Sequence, residues 1–124
     1  MSKSIQEITR QIVDFAEARG WKNENPSHLM NSIFIEMGEL AEHFQWKNDF
    51  SKYKNMSEDE KTQIGFEFVD VIFYLFRLAH NSGVDIEEYF DKKLPKLEEK
   101  YKIGGDYGKA HREYRKTGKN KLYN

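Results

Sequence analysis

The chain has 124 residues, of which 38% are hydrophobic and 15% aromatic, with 20 lysines and arginines against 21 aspartates and glutamates. This size fits one compact domain, and the composition excludes disordered and collagen-like chains. Cysteine is absent, which excludes disulfides, thiolate metal sites and cysteine nucleophiles. The N-terminal stretch is polar and amphipathic, so we expect no secretory signal and a cytoplasmic protein.

Apolar residues spaced three and four apart predict four helices. We expect them over residues 3–19, ending at Gly20; from Pro26 and Ser27 to about Trp46; from Ser57 to about Gly83; and from Asp85 to Gly104 and Gly105. A polar connection, residues 47–56, follows the second helix. In the fourth helix, Pro95 lies beyond the first turn and predicts a kink or a break. No segment alternates as a strand does, so the predicted fold class is all-α.

The third predicted helix contains the most apolar stretch of the chain, residues 68–79. This stretch is shorter than the about 20 residues that cross a membrane, and it includes Asp70 and Arg77, so we expect no membrane span. It is apolar nearly all the way round, whereas a helix on the outside of a small bundle has a polar face. We therefore expect a four-to-five-helix bundle that completes its core by oligomerisation.

The end of the chain differs in charge from the rest. Residues 109–124 contain six lysines and arginines but one glutamate. We expect a single all-α domain over residues 1–105 and a basic tail over residues 106–124. Such a tail is typical of segments that bind nucleic acid, a polyanionic ligand or an acidic face of another subunit, and also of plain solvated ends, so these alternatives stay open.

Two pairs of carboxylates are spaced three residues apart on neighbouring predicted helices: Glu36 with Glu39, and Glu67 with Asp70. If these helices pack side by side, the four groups converge and repel one another unless a divalent cation lies among them. An all-oxygen cluster favours Mg²⁺ or Mn²⁺ over zinc, and Mg²⁺ held in this way commonly binds substrate phosphates. In the alternative interpretation, the glutamates are solvated and Asp70 pairs with Arg77.

The segments 36–47 and 67–88 resemble the two halves of a known signature, E-x-x-E followed on the next helix by E-x-x-D. It is the signature of the MazG-like all-α nucleoside triphosphate pyrophosphohydrolases, and the likeness is greatest to their dCTP pyrophosphatase-like branch. The resemblance runs from about Gly20 to Tyr101. It implies Mg²⁺-dependent hydrolysis between the α and β phosphates, giving a nucleoside monophosphate and pyrophosphate. It also implies a homodimer or homotetramer with sites built between subunits.

The resemblance also implies roles for individual residues. The implied metal ligands are Glu36, Glu39, Glu67 and Asp70, with Glu36 or Glu39 as the general base. The implied substrate contacts are Trp21, His28, Trp46, Lys47, Tyr74 and Lys93. The chain departs from the family pattern at His28 and Leu97, where relatives usually have asparagine. An alternative interpretation makes Trp46 and Tyr74 ordinary core residues.

Two further interpretations of the function stay open. The chain could be another hydrolase of the superfamily, resembling dUTPase or phosphoribosyl-ATP pyrophosphohydrolase, with the same carboxylates and a different base pocket. It could instead be a non-catalytic helical module that binds nucleic acid or a protein through the basic tail. We expect nucleic acid not to be a partner, because all four signature carboxylates are present.

Overall fold

The computed structural model describes residues 2–47 and 54–116. These residues form five helices and no strand, which confirms the all-α prediction. The helices are α1 (Ile5–Ala18), α2 (Pro26–Phe44), α3 (Glu58–Asn81), α4 (Ile86–Lys100) and α5 (Tyr107–Lys116). Most of the predicted polar connection, residues 48–53, and the last eight residues lie outside the described residues. Within the described part, no helix is both long and apolar enough to cross a membrane.

Side-chain caps fix where the second and third helices begin. The Asn25 side chain accepts a hydrogen bond from the Ser27 amide, and Pro26 follows in the first turn. The cap is therefore Asn25, one residue before the predicted start of the helix at Pro26 and Ser27. Proline has no amide proton to donate, so it suits a first turn while the preceding residue caps. The Ser57 hydroxyl accepts a hydrogen bond from the Glu60 amide at 3.1 Å, at the residue where the sequence predicts that the third helix begins.

The first three helices form the hydrophobic core of the segment Met1–Ile86, which is one compact unit. The contacts join α1 to α3 and, more extensively, α2 to α3. The buried apolar side chains are Ile12, Ala16, Leu29, Ile33, Ile64 and Phe76. Glycines in the left-handed region end two of these helices, Gly20 at φ 77° after α1 and Gly83 at φ 72° after α3.

Helix α3 leaves large apolar side chains exposed in the single chain. Phe66 is 67% exposed and Phe68 is 52% exposed, and Val69 beside them is exposed as well. The two helices that cover α3 in this unit therefore bury only part of its circumference. This agrees with the sequence pattern, in which apolar residues surround the helix.

The described residues from Glu87 onward form a second compact unit. Helix α4 continues through Pro95, so the predicted break is wrong. Proline removes one backbone donor, and the helix tolerates this loss because neighbouring bonds persist, such as that from the Tyr101 amide to the Leu97 carbonyl at 2.8 Å. The helix ends at Lys100, before the predicted glycines. Part of the predicted basic tail is helix α5, whose Lys109 amide donates to the Asp106 carboxylate.

Replacement of Ser57 tests whether its side chain stabilises the beginning of α3. Ser57→Ala should lower the free energy of unfolding by about 1 kcal/mol, because the Glu60 amide loses its acceptor. Ser57→Asp keeps an acceptor and should retain the wild-type value. Urea unfolding followed by circular dichroism measures both, and equal losses in the two variants would contradict the role of the side-chain oxygen.

Candidate active site

Polar side chains line matching faces of α2 and α3. On α2, Glu36, Glu39 and His43 follow one another at spacings of three and four residues, which keeps them on one side of the helix. Helix α3 has the same spacing in Glu67, Asp70, Tyr74 and Arg77. Because α2 and α3 pack against each other, these two rows of side chains determine the chemistry between the helices.

Specific contacts show that the two helices run in opposite directions. From one end of the pair to the other, the contacts are Lys47 with Glu60, His43 with Glu67, Glu36 with Glu67 and Asp70, and Glu24 with Arg77. Residue numbers fall along α2 as they rise along α3. The antiparallel arrangement therefore brings the middle of α2 to the middle of α3, where both signature pairs lie.

A cluster of three carboxylates forms at this meeting point. Oxygen atoms of Glu36, Glu67 and Asp70 all lie within 4.8 Å of one another. Glu39, the fourth predicted member, is exposed and lies outside this close group, although its charge acts on Glu36. Three of the four predicted carboxylates are thus within reach of one ion, and the fourth is their neighbour.

The cluster is electrostatically unfavourable without a cation. Burial raises the pKa of Glu36 above its usual 4.5, and the charge and hydrogen bonding of Glu39 raise it further, followed by the charges of Asp70 and Glu67. One oxygen of Glu36 and one of Glu67, Oε2 in each, are buried without a hydrogen-bond partner among the described residues. Buried carboxylate oxygens of this kind are usually paired, hydrogen-bonded or bound to metal.

The donor set therefore fits a hard divalent cation. Three carboxylates offer oxygen ligands alone, which suits Mg²⁺ and Mn²⁺. A cation at this place would also relieve the repulsion among Glu36, Glu67 and Asp70. The two unpartnered oxygens are the observation that distinguishes this cluster from an ordinary set of acidic surface residues.

The surroundings of Asp70 follow from helix geometry and not from its neighbours in the sequence. Asp70 lies between two valines in the chain but is exposed in the single subunit. Adjacent residues on a helix point about 100° apart, so apolar neighbours do not bury it. The alternative pairing of Asp70 with Arg77 is also wrong among the described contacts, because Arg77 pairs with Glu24.

His43 is a site residue that the sequence interpretation missed. Its Nε2 atom lies 3.8 Å from Oε1 of Glu67, and both side chains are about three quarters buried. The available signal was its position seven residues after Glu36, on the same side of α2. His43 therefore flanks the carboxylate cluster on the side toward the end of α2.

The predicted substrate contacts fall into separate groups. Trp46 and Lys47 line a cavity of about 480 Å³ at the end of α2, together with His43, whereas Trp21 and Tyr74 lie near Arg77 at the other end. Glu60, which lines this cavity, and Arg77 are separated by 17 positions, or about 25 Å along α3, so one nucleobase cannot stack on both groups within a single chain.

The two remaining predicted contacts lie elsewhere in the chain. His28 is exposed in the first turn of α2. Lys93 lies on α4, in the second unit. Their roles as substrate contacts stay predictions.

Comparison with known proteins identifies the family. A family model described as MazG-like matches residues 31–114, a segment that includes all four signature carboxylates. The chain belongs to the MazG-like family. This confirms the resemblance drawn from the two signature halves.

Named relatives of this MazG-like chain include dCTP pyrophosphatase 1 from Mus musculus and from Homo sapiens. The mouse protein is 30% identical over 109 residues, which cover 86% of this chain and 64% of the mouse protein. The human protein is 35% identical over 85 residues, covering 67% of this chain and 50% of the human protein. The chain thus spans less than two thirds of the length of these relatives.

A solved structure extends the similarity to the fold. A pyrophosphatase from Archaeoglobus fulgidus matches with a TM-score of 0.69 and 31% sequence identity. The match covers 82% of this chain and 95% of the archaeal one. The arrangement of helices in this MazG-like chain is therefore shared over most of its length.

Glu36→Gln tests the electrostatics of the cluster. In metal-free buffer the variant should have a larger free energy of unfolding than the wild type at about pH 7. The folded-state pKa of Glu36 is raised, so its contribution to stability is full below the unfolded pKa and is lost as pH rises through the folded one. The difference between the variant and the wild type should therefore grow from about pH 4 to about pH 7.

Mg²⁺ should change which of the two proteins, wild type or Glu36→Gln, has the larger free energy of unfolding. A concentration 100 times the Kd should stabilise the wild type by about 2.7 kcal/mol and the Gln variant by much less. Thermal and urea unfolding with Mg²⁺ or chelator measure the effect. Glu42→Gln, on the same helix but outside the cluster, is the matched control. Equal Mg²⁺ stabilisation of the wild type and Glu36→Gln would contradict the assigned ligand.

Proposed function

We propose that this MazG-like chain is a nucleoside triphosphate pyrophosphohydrolase. It hydrolyses a (deoxy)nucleoside triphosphate between the α and β phosphates, releasing the monophosphate and pyrophosphate and so controlling a cytoplasmic nucleotide pool. The observation that carries this proposal is the close group of Glu36, Glu67 and Asp70 on two packed helices, with two buried oxygens unpartnered. The names of the relatives, dCTP pyrophosphatase and pyrophosphatase, support the same reaction class.

The residues that would hold Mg²⁺, or Mn²⁺ in its place, are Glu36, Glu67 and Asp70, with Glu39 beside them. When bound, the cation supplies neutralisation of phosphate charge and a water of lowered pKa. The three side chains approach from two helices, so the position of the ion depends on the packing of α2 against α3.

The carboxylates of α2 provide the proton acceptor for hydrolysis. Glu39 is exposed and close enough to Glu36 to raise its pKa, which supports Glu39 as the group that takes a proton from the attacking water. The water oxygen forms the new bond to phosphorus, the bond from phosphorus to the bridging oxygen breaks, and pyrophosphate leaves with that oxygen. Glu36, whose pKa is raised, is the second candidate for the base, in agreement with the choice that the sequence left open.

Other predicted residues would recognise the substrate. The rings of Trp21 and Tyr74 offer stacking surfaces for a base, while Lys47 and Lys93 offer positive charge for phosphates. His28 would contribute a hydrogen bond at the position where relatives usually have asparagine. The named relatives make dCTP the first nucleotide to test, followed by its modified forms.

The oligomer belongs to the same proposal. Trp46 and Trp21 lie at opposite ends of the α2–α3 pair, and large apolar side chains of α3 are exposed between them. A homodimer or homotetramer would cover these side chains and bring the aromatic groups of different copies to one base. The site would then be completed by a second copy of the chain.

Asp70→Asn tests the reaction and its metal. The substitution preserves shape and removes a ligand charge, so turnover should fall more than about 100-fold, since even partners outside the ligand shell are worth 10–100-fold in many metal sites. Folding should be retained, or stabilised in metal-free buffer. Separation of monophosphate and pyrophosphate from diphosphate and phosphate, with Mg²⁺ and with chelator, is the measurement.

Asp14→Asn, on α1 and away from the cluster, is the control for Asp70→Asn. Full activity of the Asp70 variant would reject the site. A panel of common nucleoside triphosphates distinguishes the dCTP pyrophosphatase-like activity from dUTPase-like activity, and phosphoribosyl-ATP tests the other superfamily reaction. If no nucleotide in the panel is hydrolysed and the protein binds nucleic acid in a salt-sensitive way, the non-catalytic alternative is favoured.

Phe68→Glu tests association through α3. A charge at this exposed apolar position should convert the oligomer to monomers and lower activity with it, because a buried unpaired carboxylate costs several kcal/mol. Light scattering coupled to size-exclusion chromatography measures the mass. Ile103→Glu, at a fully exposed position between α4 and α5, should leave the mass unchanged. An unchanged mass of the Phe68 variant would exclude this face from the interface.

A further inference from the structure

Among the described residues, Arg77 is the one charged residue that is buried. It is 4% exposed, whereas the other buried residues of the first unit are apolar. Burial of a guanidinium is costly unless it is paired and hydrogen-bonded. Arg77 therefore has a specific set of partners, and these partners indicate what it does.

The charge partner of Arg77 comes from the loop between α1 and α2. A guanidinium nitrogen of Arg77 donates to a carboxylate oxygen of Glu24, which ties this loop to α3. The loop is also attached at its start, where the Trp21 amide donates to the Ala16 carbonyl at 2.9 Å. Between them, Asn23 adopts a left-handed φ of 53°. The ion pair thus fixes the end of a short, sharply turned segment that begins with Trp21.

The same guanidinium lies against two aromatic rings. Its central carbon is 5.6 Å from the ring centre of Trp21 and 5.2 Å from that of Tyr74, within the range of cation–π attraction. Phe15 packs edge-on against Trp21 at 5.9 Å. Trp21 is nevertheless 45% exposed. A ring that is anchored on two sides and open on another has the properties of a stacking platform.

Arg77 is too far along the helix to act on the carboxylate cluster directly. Asp70, Tyr74 and Arg77 follow at spacings of four and three residues, so Arg77 lies about 10 Å beyond Asp70 along α3. Its charge is also already paired with Glu24. These observations argue against a phosphate-binding role and favour an action through the aromatic rings.

We propose that Arg77 is a positioning residue, which holds Trp21 and Tyr74 in the arrangement that receives the nucleobase. This inference rests on the proposed nucleotide hydrolysis. The ion pair of Glu24 with Arg77 joins the loop to α3, so that Trp21 and Tyr74 form one aromatic surface. Tyr74 lies about one helical turn from Asp70. The pair affects how well the base is bound and leaves the chemistry at the phosphates unchanged.

Kinetics of Arg77→Met provide the first test. Loss of the charge should raise KM for the preferred triphosphate about tenfold, by the loss of ordered stacking, while kcat and the Mg²⁺ concentration for half-maximal activity stay near the wild-type values. Arg77→Lys keeps a cation and should recover part of the KM effect. Arg10→Met, at an exposed position of α1, is the control and should leave KM unchanged.

Fluorescence provides a second test that does not depend on turnover. The chain has two tryptophans, so Trp46→Phe leaves Trp21 as the sole tryptophan. In that background, Arg77→Met should make Trp21 more accessible to quenching by acrylamide, with the circular dichroism spectrum unchanged. Glu24→Gln should change quenching in the same direction. It also serves as the second variant if Arg77→Met does not fold.

The outcomes separate this inference from the proposed function. Unchanged quenching and KM in a folded Arg77→Met variant would overturn the positioning role. Parallel losses of kcat and Mg²⁺ affinity would overturn it too, because they indicate a general structural defect. If the wild type hydrolyses no triphosphate, the proposed function fails, and quenching still decides whether Arg77 and Glu24 hold Trp21.

Discussion

The antiparallel packing of α2 against α3 determines most of what this protein can do. The two helices are aligned so that Glu36 of one meets Glu67 and Asp70 of the other near the middle of the pair. Apolar contacts, with Leu29, Ile33 and Ile64 buried, provide the favourable free energy for this packing. Repulsion among the carboxylates opposes it. Burial, and after it the neighbouring carboxylates, raise the pKa of Glu36 above its usual value.

Repulsion among neighbouring carboxylates is expected at a site that binds a cation. A bundle selected for stability alone would place neutral or oppositely charged groups at this point. Here the unpartnered oxygens of Glu36 and Glu67 remain buried, so part of the stability of the fold is left to be supplied by a ligand. The core of the first unit and the candidate site are therefore energetically linked through the same two helices.

Local features of the sequence predicted the helices and the acidic cluster well. Spacings of three and four residues marked the helices, and Ser57 marked the beginning of α3. Of the four carboxylates predicted to converge, Glu36, Glu67 and Asp70 do so, and Glu39 lies beside them. These features depend on residues that are close in sequence. Their success follows from the fact that helix periodicity and capping are local properties.

The features that the sequence did not predict depend on residues distant in sequence or on which surfaces are covered in the folded chain. Glu24 and Arg77 are 53 residues apart, and no spacing rule joins them. The exposure of Asp70 depends on which side of α3 its neighbours cover, and this is not visible from the flanking valines. Pro95 predicted a kink or a break from a strong local preference, yet α4 continues through it without a break.

The ion pairs at the two ends of the α2–α3 pair have a consequence for register. Once the cost of desolvation is counted, Lys47 with Glu60 and Glu24 with Arg77 each add little net free energy, although loss of Glu24 would leave the buried charge of Arg77 uncompensated. A shift of one helix past the other by one turn, however, would separate both pairs at once, while the apolar contacts between them could largely re-form. The two ion pairs therefore stabilise one register of α2 against α3 over other registers with similar apolar packing. That alignment is the one in which the acidic residues of both helices coincide.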